Sequence, residues 1–98
     1  LSGSSVMKSK EAGIDAQGYT SVRLMDCEIS NNQRIGVQIG FKSQLIAYNS
    51  VIAGNHFEGV WMNNYSTGTI KGCDMRGNAR GPYDISADCT VEMSSNKP

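Results

Sequence analysis

Short alternations of apolar and polar residues, broken by turn residues, run through the whole chain. In Val22-Arg23-Leu24, at Ile29, and in Val37-Gln38-Ile39, apolar side chains fall on every second position of a short stretch. Asn31-Asn32, Gly40, Gly54-Asn55, Asn63-Asn64 and Gly77-Asn78 punctuate these stretches. A two-residue period held over a few residues predicts strands, three short ones per unit. A helical repeat would need stretches of about 10–15 residues at helical periodicity, and Gly and Asn interrupt every candidate.

The alternations recur at a fixed step. Gly13-Ile14-Asp15-Ala16 returns as Gly36-Val37-Gln38-Ile39 and again as Gly59-Val60-Trp61-Met62, each time 23 residues on. Pro82-Tyr83-Asp84-Ile85 is a further copy, with Pro in place of Gly. The same step links Val6, Ile29, Ile52 and Met75; Leu24, Ala47, Ile70 and Met93; and Val22, Leu45, Gly68 and Val91. It also links Asn32, Asn55 and Asn78, and the polar or small series Ser4, Cys27, Ser50, Cys73 and Asn96.

Three short strands per constant period predict an all-β fold, a parallel β-solenoid whose coils stack at about 4.8 Å. The apolar columns then point inward as ladders and build one continuous core. Gly68 interrupts one ladder, so that coil is expected to be weaker there. The Asn and Cys/Ser columns are expected at bends, bonded to the coils above and below, and Asn tolerates the left-handed backbone such bends need. Pro82, which lacks a ladder donor, suits a strand start. Coils fall near 1–19, 20–42, 43–65 and 66–88, with a partial coil over 89–98, in a single segment spanning 1–98. Four coils make a stack about 20 Å tall with open strand edges at both ends. The expectation is a fragment of a longer solenoid, or one whose ends are covered by a protein partner or by the remainder of a larger chain.

The motif is apolar-x-apolar-x-[Asp/Asn/Gly]-[Cys/Ser]-x-[Ile/Met]-x-x-Asn-x-x-x-Gly-Val-x-[Ile/Met]. It is carried by Val22-Arg23-Leu24-Met25-Asp26-Cys27-Glu28-Ile29 through Gly36-Val37-Gln38-Ile39, and again from Leu45 to Met62. It resembles the repeat of right-handed parallel β-helix proteins and covers nearly the whole chain. That family includes pectate lyases, polygalacturonases and alginate epimerases. It also includes the β-helix domains of F-box-only and Shc-SH2-binding proteins, whose short regular coils this sequence is most similar to. The resemblance implies a right-handed parallel β-helix of about four coils and says almost nothing about function.

If Val37 and Ile39 point inward, Gln38 points outward, and the outward column is Asp15, Gln38, Trp61 and Asp84. An outward Trp on a rigid sheet is an interface anchor, a platform for a sugar ring, or a surface aromatic under a loop. His56 and Glu58 lie on the preceding bend, and Arg34 and Arg80 flank Phe57 in the column Glu11, Arg34, Phe57, Arg80. Arg beside Phe or Trp offers cation–π contacts; the plainer reading is a solvated bend with an ion pair between Glu11 and Arg34. Tyr19, Lys42, Tyr65 and Asp88 form a second outward column, read as a structural stack. Ile46 and Tyr48, with Met25 and Val51, make an apolar outward face suited to burial against protein.

Charge and composition narrow the function classes. Nine basic residues balance nine acidic ones, which argues against nucleic-acid binding through a positive field and against a polybasic membrane surface. No apolar run approaches the roughly 18 residues of a membrane span. An apolar fraction of 39% with 11 Gly suits a narrow core lined by few residues per coil. Three cysteines, Cys27, Cys73 and Cys89, leave an odd thiol, no CxxC is present, and LSGSSVMKSK lacks a signal-peptide pattern. The expectation is free thiols in an intracellular protein. His56 is the single histidine, so neither a metal site nor another cofactor is expected.

An enzyme of this fold needs paired acids. Glycosidase carboxyls stand about 5–9.5 Å apart. Asp15 and Asp84 share a column about 14 Å apart, Glu28 and Asp74 another at about 10 Å, and no column holds acids on adjacent coils. The clustered Asp residues of hydrolases of this fold, and the Gly-His-Gly segment of polygalacturonases, are absent. The acids are too dispersed for several to meet one Ca²⁺, and His56 with Glu58 reads as surface. The sequence therefore favours a non-catalytic scaffold or recognition module that binds protein through an outward sheet face. Its candidate surface is Trp61, His56, Glu58, Arg34, Arg80, Phe57, Tyr48 and Ile46. The alternative is a fragment of a carbohydrate-active enzyme (polysaccharide lyase, hydrolase or epimerase) with Trp61 as the sugar platform.

Overall fold

The 23-residue period becomes a stack of coils in the computed structural model, which describes residues 5–7 and 10–97. Eleven strands are described, in chain order β1 (Ser5–Met7), β2 (Ile14–Gln17), β3 (Ser21–Met25), β4 (Glu28–Ser30), β5 (Val37–Gly40), β6 (Gln44–Tyr48), β7 (Val51–Ala53), β8 (Val60–Met62), β9 (Thr67–Lys71), β10 (Tyr83–Ile85) and β11 (Thr90–Ser94). They form three parallel sheets, ordered β1-β4-β7, β2-β5-β8-β10 and β3-β6-β9-β11. Val37 pairs with Val60 and Ile14 with Val37, so the ladder register equals the sequence period. Bridges Val51–Asp74 and Asp74–Lys97 extend the first sheet. This is the expected parallel β-solenoid of about four coils.

Alternation sets the faces. In β8, Val60 and Met62 are buried while Trp61 is half-buried, and β6 alternates through its buried Leu45 and Ala47. Leu24, Ile29, Ile39, Leu45, Ile52, Met62 and Ile70 are fully buried and make one core along the axis. The core ladders follow the expected columns, with Val22 and Val91 only half-buried against the core and Met93 38% exposed. The expected column members Ser4 and Val6 fall where the position (Ser4) or the side chain (Val6) lies outside the described structure.

Gly68 is not a simple gap. A Cβ there would stand 3.1 Å from Met62 Cε and 3.2 Å from the Leu45 carbonyl. The long, adaptable Met62 side chain occupies the space that the missing Cβ leaves. Pro82 precedes β10, as its missing donor requires, and its carbonyl still accepts from Val60 N at 3.1 Å.

The Asn column differs from expectation in one respect. Asn32 and Asn55 are fully buried, Asn78 nearly so, and none of the three adopts a left-handed backbone. That conformation falls one residue earlier in each coil, at Asn31 (φ 55°), Gly54 (φ 67°) and Gly77 (φ 73°). The preceding residue takes the sharp bend, which leaves the next side chain free to turn inward and bond along the axis. Asn55 Nδ2 donates to Asn78 Oδ1 at 2.9 Å, and the Asn55 backbone N donates to the same oxygen at 3.0 Å. No described buried side-chain N or O atom lacks a partner, which is what a buried polar ladder requires.

A second bend carries more strain. Gly18-Tyr19, Phe41-Lys42 and Asn64-Tyr65 form successive left-handed pairs, with φ of 62° at Tyr19, 52° at Phe41, 59° at Lys42 and 61° at Tyr65. For a bulky L residue this conformation costs roughly 1–2 kcal/mol. Ladder bonds hold the turns in line: Tyr19 N donates to the Phe41 carbonyl at 3.0 Å and Lys42 N to that of Asn64 at 2.9 Å.

Candidate functional site

The bend before the β2-β5-β8-β10 sheet continues the ladder rather than breaking it. Phe57 N donates to the Arg34 carbonyl at 3.0 Å, and Arg80 N donates to that of Phe57 at 3.2 Å. Side chains at these positions therefore stack one strand spacing apart. The Arg34 guanidinium lies 5.4 Å from the Phe57 ring centre and that of Arg80 only 3.9 Å, so two cations enclose one ring. Each such contact contributes about 0.5–1 kcal/mol at an exposed site. Arg34 also reaches Glu11 at 3.5 Å, and both side chains are largely exposed. Such a surface pair contributes at most about 1 kcal/mol.

Beside this stack runs the outward column of the sheet, with Gln38, Trp61 and Asp84 directly in register. Between the two columns lies an open hollow of about 170 Å³, lined by Arg34, Ile35, Phe57, Glu58, Trp61, Arg80 and Asp84. A neighbouring hollow, lined by Glu11, Ala12, Asp15, Arg34 and Gln38, shares Arg34 with it. Together they trace a groove parallel to the solenoid axis. Its rungs are residues four apart in sequence, and the aromatic rung is Phe57 with Trp61.

Five of the eight expected surface residues thus meet in one place: Trp61, Glu58, Arg34, Arg80 and Phe57. The other three do not. His56 is exposed and outside the lining of the hollow; its backbone N donates to the Asn32 carbonyl at 3.0 Å. Ile46 and Tyr48 are half-buried on β6, in a different sheet. Asp84 belongs to the hollow although it was not among the expected residues, and its place in the Trp61 column was the signal for it. Glu58 and Asp84 come from successive coils and different columns, so comparing acids within one column misses that they share a hollow. None of the described ion pairs joins Arg80 to Glu58 or to Asp84. No group of three described His, Cys, Asp or Glu residues is placed to hold a metal ion.

The family model for the right-handed β-helix region matches residues 1–97. This chain belongs to the right-handed β-helix family. No curated protein and no solved structure matches it. In this β-helix the groove of the two hollows that share Arg34 runs along the sheet carrying Trp61. The β3-β6-β9-β11 sheet presents Arg23, Ile46, Thr69 and Glu92 in one outward column and Met25, Tyr48 and Lys71 in another. Lys71 pairs with Glu92 there at 3.7 Å.

Proposed function

We propose that this β-helix is a non-catalytic recognition module that binds a partner protein through the groove around Trp61. The observation that carries this reading is the composition of the central hollow. A half-buried Trp and a Phe clamped by two Arg residues share the hollow with two carboxylates, Glu58 and Asp84, that no described ion pair neutralises. A central aromatic anchor with Arg beside it, surrounded by polar groups, is the residue pattern that dominates protein interfaces. The parallel ladders hold these groups in place, so little ordering is needed on binding.

A second reading is favoured by Glu58 and Asp84, two carboxyls sharing the hollow with Trp61. It makes the groove a carbohydrate site, with Trp61 under a sugar ring and the two acids at the glycosidic bond.

One fluorophore separates the two readings, because Trp61 is the single Trp. Neutral and acidic oligosaccharides should leave its emission unchanged. A photocrosslinker placed at Gln38, the next rung of the groove, should capture a protein from the source cells. That capture should be lost in Trp61→Ala and kept in Gln33→Ala. Saturable quenching of Trp61 by an oligosaccharide, with release of reducing ends that Glu58→Gln abolishes, would overturn the proposal in favour of the enzyme.

A further inference from the structure

The left-handed bends form a second surface, on the other side of the β2-β5-β8-β10 sheet from the Arg-Phe stack. Tyr19, Phe41 and Tyr65 are 78%, 58% and 66% exposed. With Lys42 and Asn64 they line an open hollow of about 210 Å³. The core does not account for these rings, because they point into solvent. The bend does not require them either: the left-handed conformation favours Gly and Asn, which stand at Gly18 and Asn64. Three large rings therefore sit mostly in solvent, with Lys42 over the Tyr19 ring as a described contact, and strain the chain, a combination that marks sites kept for binding.

Spacing and charge indicate the occupant. Tyr19 and Tyr65 share a column two strand spacings apart, about 9.6 Å. Lys42 lies between them, its ammonium 6.0 Å from the Tyr19 ring centre. A polyproline II helix repeats every three residues at a rise of about 3.1 Å, or about 9.3 Å per turn. Side chains at i and i+3 of such a peptide therefore meet the two Tyr rings in turn. Its backbone carbonyls are unpaired and available to the Tyr hydroxyl donors. An acidic residue between the two prolines reaches the Lys42 ammonium.

We infer that the Tyr19-Lys42-Tyr65 ridge, with Phe41 beside it, binds an extended proline-rich peptide carrying an acidic residue between prolines three positions apart. The peptide lies along the solenoid axis. This surface is separate from the Trp61 groove and does not depend on its assignment.

The test is the fluorescence anisotropy of a labelled peptide of repeating Pro-Glu-Ala-Pro units, titrated with the whole chain. Saturable binding below about 1 mM is expected. Tyr19→Asn and Tyr65→Asn keep a residue suited to the left-handed turn, and each should weaken binding at least about tenfold. Lys42→Glu should weaken binding of this peptide and favour one with Lys in place of Glu. Trp61→Ala should leave binding unchanged, which distinguishes this surface from the groove. Circular dichroism confirms that each variant is folded. Absence of binding up to the stated concentration overturns the inference. So does equal binding of a peptide with Ala for Pro, or binding of a β-linked glucose oligomer that competes with the peptide.

Discussion

Asn32 donates twice to one oxygen of Asn55, the residue one coil above it: from its backbone N at 3.1 Å and from Nδ2 at 2.9 Å. Asn55 repeats the arrangement towards Asn78 and also donates to the Ile29 carbonyl at 3.3 Å. One side chain thus satisfies donors on the coil below while its own amide is satisfied on both sides. Asn55→Ala should strand several buried polar groups at once. The expected loss is about 2–4 kcal/mol, read as a lower urea midpoint with an unchanged slope. Gln33→Ala, exposed on the same bend, should change stability by less than about 0.5 kcal/mol.

This ladder also shows how much of the fold the sequence makes legible. A step of 23 residues exposes every column, because parallel pairing places residue i against residue i+23. Inward and outward faces follow from alternation, so Trp61, Gln38 and Asp84 could be aligned before the structure. The diagonals are hidden. Asn55 to Ile29, Asn78 to Ile52 and Asn96 to Ile70 are bonds across 26 residues, where a bend brings one side chain over the neighbouring coil's backbone. Glu58 and Asp84, also 26 apart, line the same hollow. The strained bends were hidden for a different reason. Tyr, Phe and Lys carry no signal for a left-handed backbone, and it is the ladder bonds of the stack that impose it.

The glycines separate close approach from conformational strain. A Cβ on Gly36 would fall 2.6 Å from the Gly59 carbonyl, a backbone atom that cannot swing aside. Gly36→Ala should therefore cost about 3 kcal/mol or more. A Cβ on Gly18 meets nothing within 4 Å, but the residue sits at φ +74°. Gly18→Ala should cost about 1–2 kcal/mol, the left-handed penalty alone. At Gly68 a Cβ would stand 3.1 Å from the mobile end of Met62 and 3.2 Å from the Leu45 carbonyl, contacts relieved by shifts of a few tenths of an ångström with no positive φ to strain, so Gly68→Ala should be the mildest of the three. Denaturant midpoints of the three variants should fall in that order.

Asp74 and Arg76 predict an acid-sensitive contribution. Arg76 Nε and Nη2 each donate to a separate oxygen of Asp74 at 2.9 Å, and the Arg76 backbone N donates at 3.2 Å. These bonds, chiefly the side-chain one, hold the Asp74 carboxyl below its ordinary value. A depressed carboxyl stabilises the fold above its unfolded pKa of about 3.9. That contribution disappears as pH falls through the lower folded value. Wild type should thus be more stable than Arg76→Ala at pH 7, and the two should converge in strong acid. Arg76→Lys should recover only part of the difference, since an ammonium cannot bond both oxygens in the same planar fork. Urea denaturation at a series of pH values checks both statements.

The thiols predict the opposite limb. Cys73 is 1% exposed, and its Sγ donates to the Ala47 and Lys71 carbonyls at 3.6 Å. Burial pushes its thiol up, against the opposing backbone hydrogen bonds to Ser50 and Lys71. Burial also raises Cys89, and Asp88 adds to the rise. A raised thiol contributes stability in full below the unfolded pKa of about 8.5, and that stability is lost as pH rises through the folded value. Stability attributable to these groups should therefore be flat from pH 6 to about pH 8 and decline above it, with a shallower decline in Cys73→Ala. Reactivity should follow access to the thiolate. Cys89 is half-buried, whereas Cys27 and Cys73 are buried. In native protein at pH 8, a thiol reagent should label Cys89 first, and Cys27 and Cys73 only at the rate of local opening. Equal labelling of all three without denaturant, followed by mass spectrometry of the peptides, would show that the coil interior opens far more readily than its ladders allow.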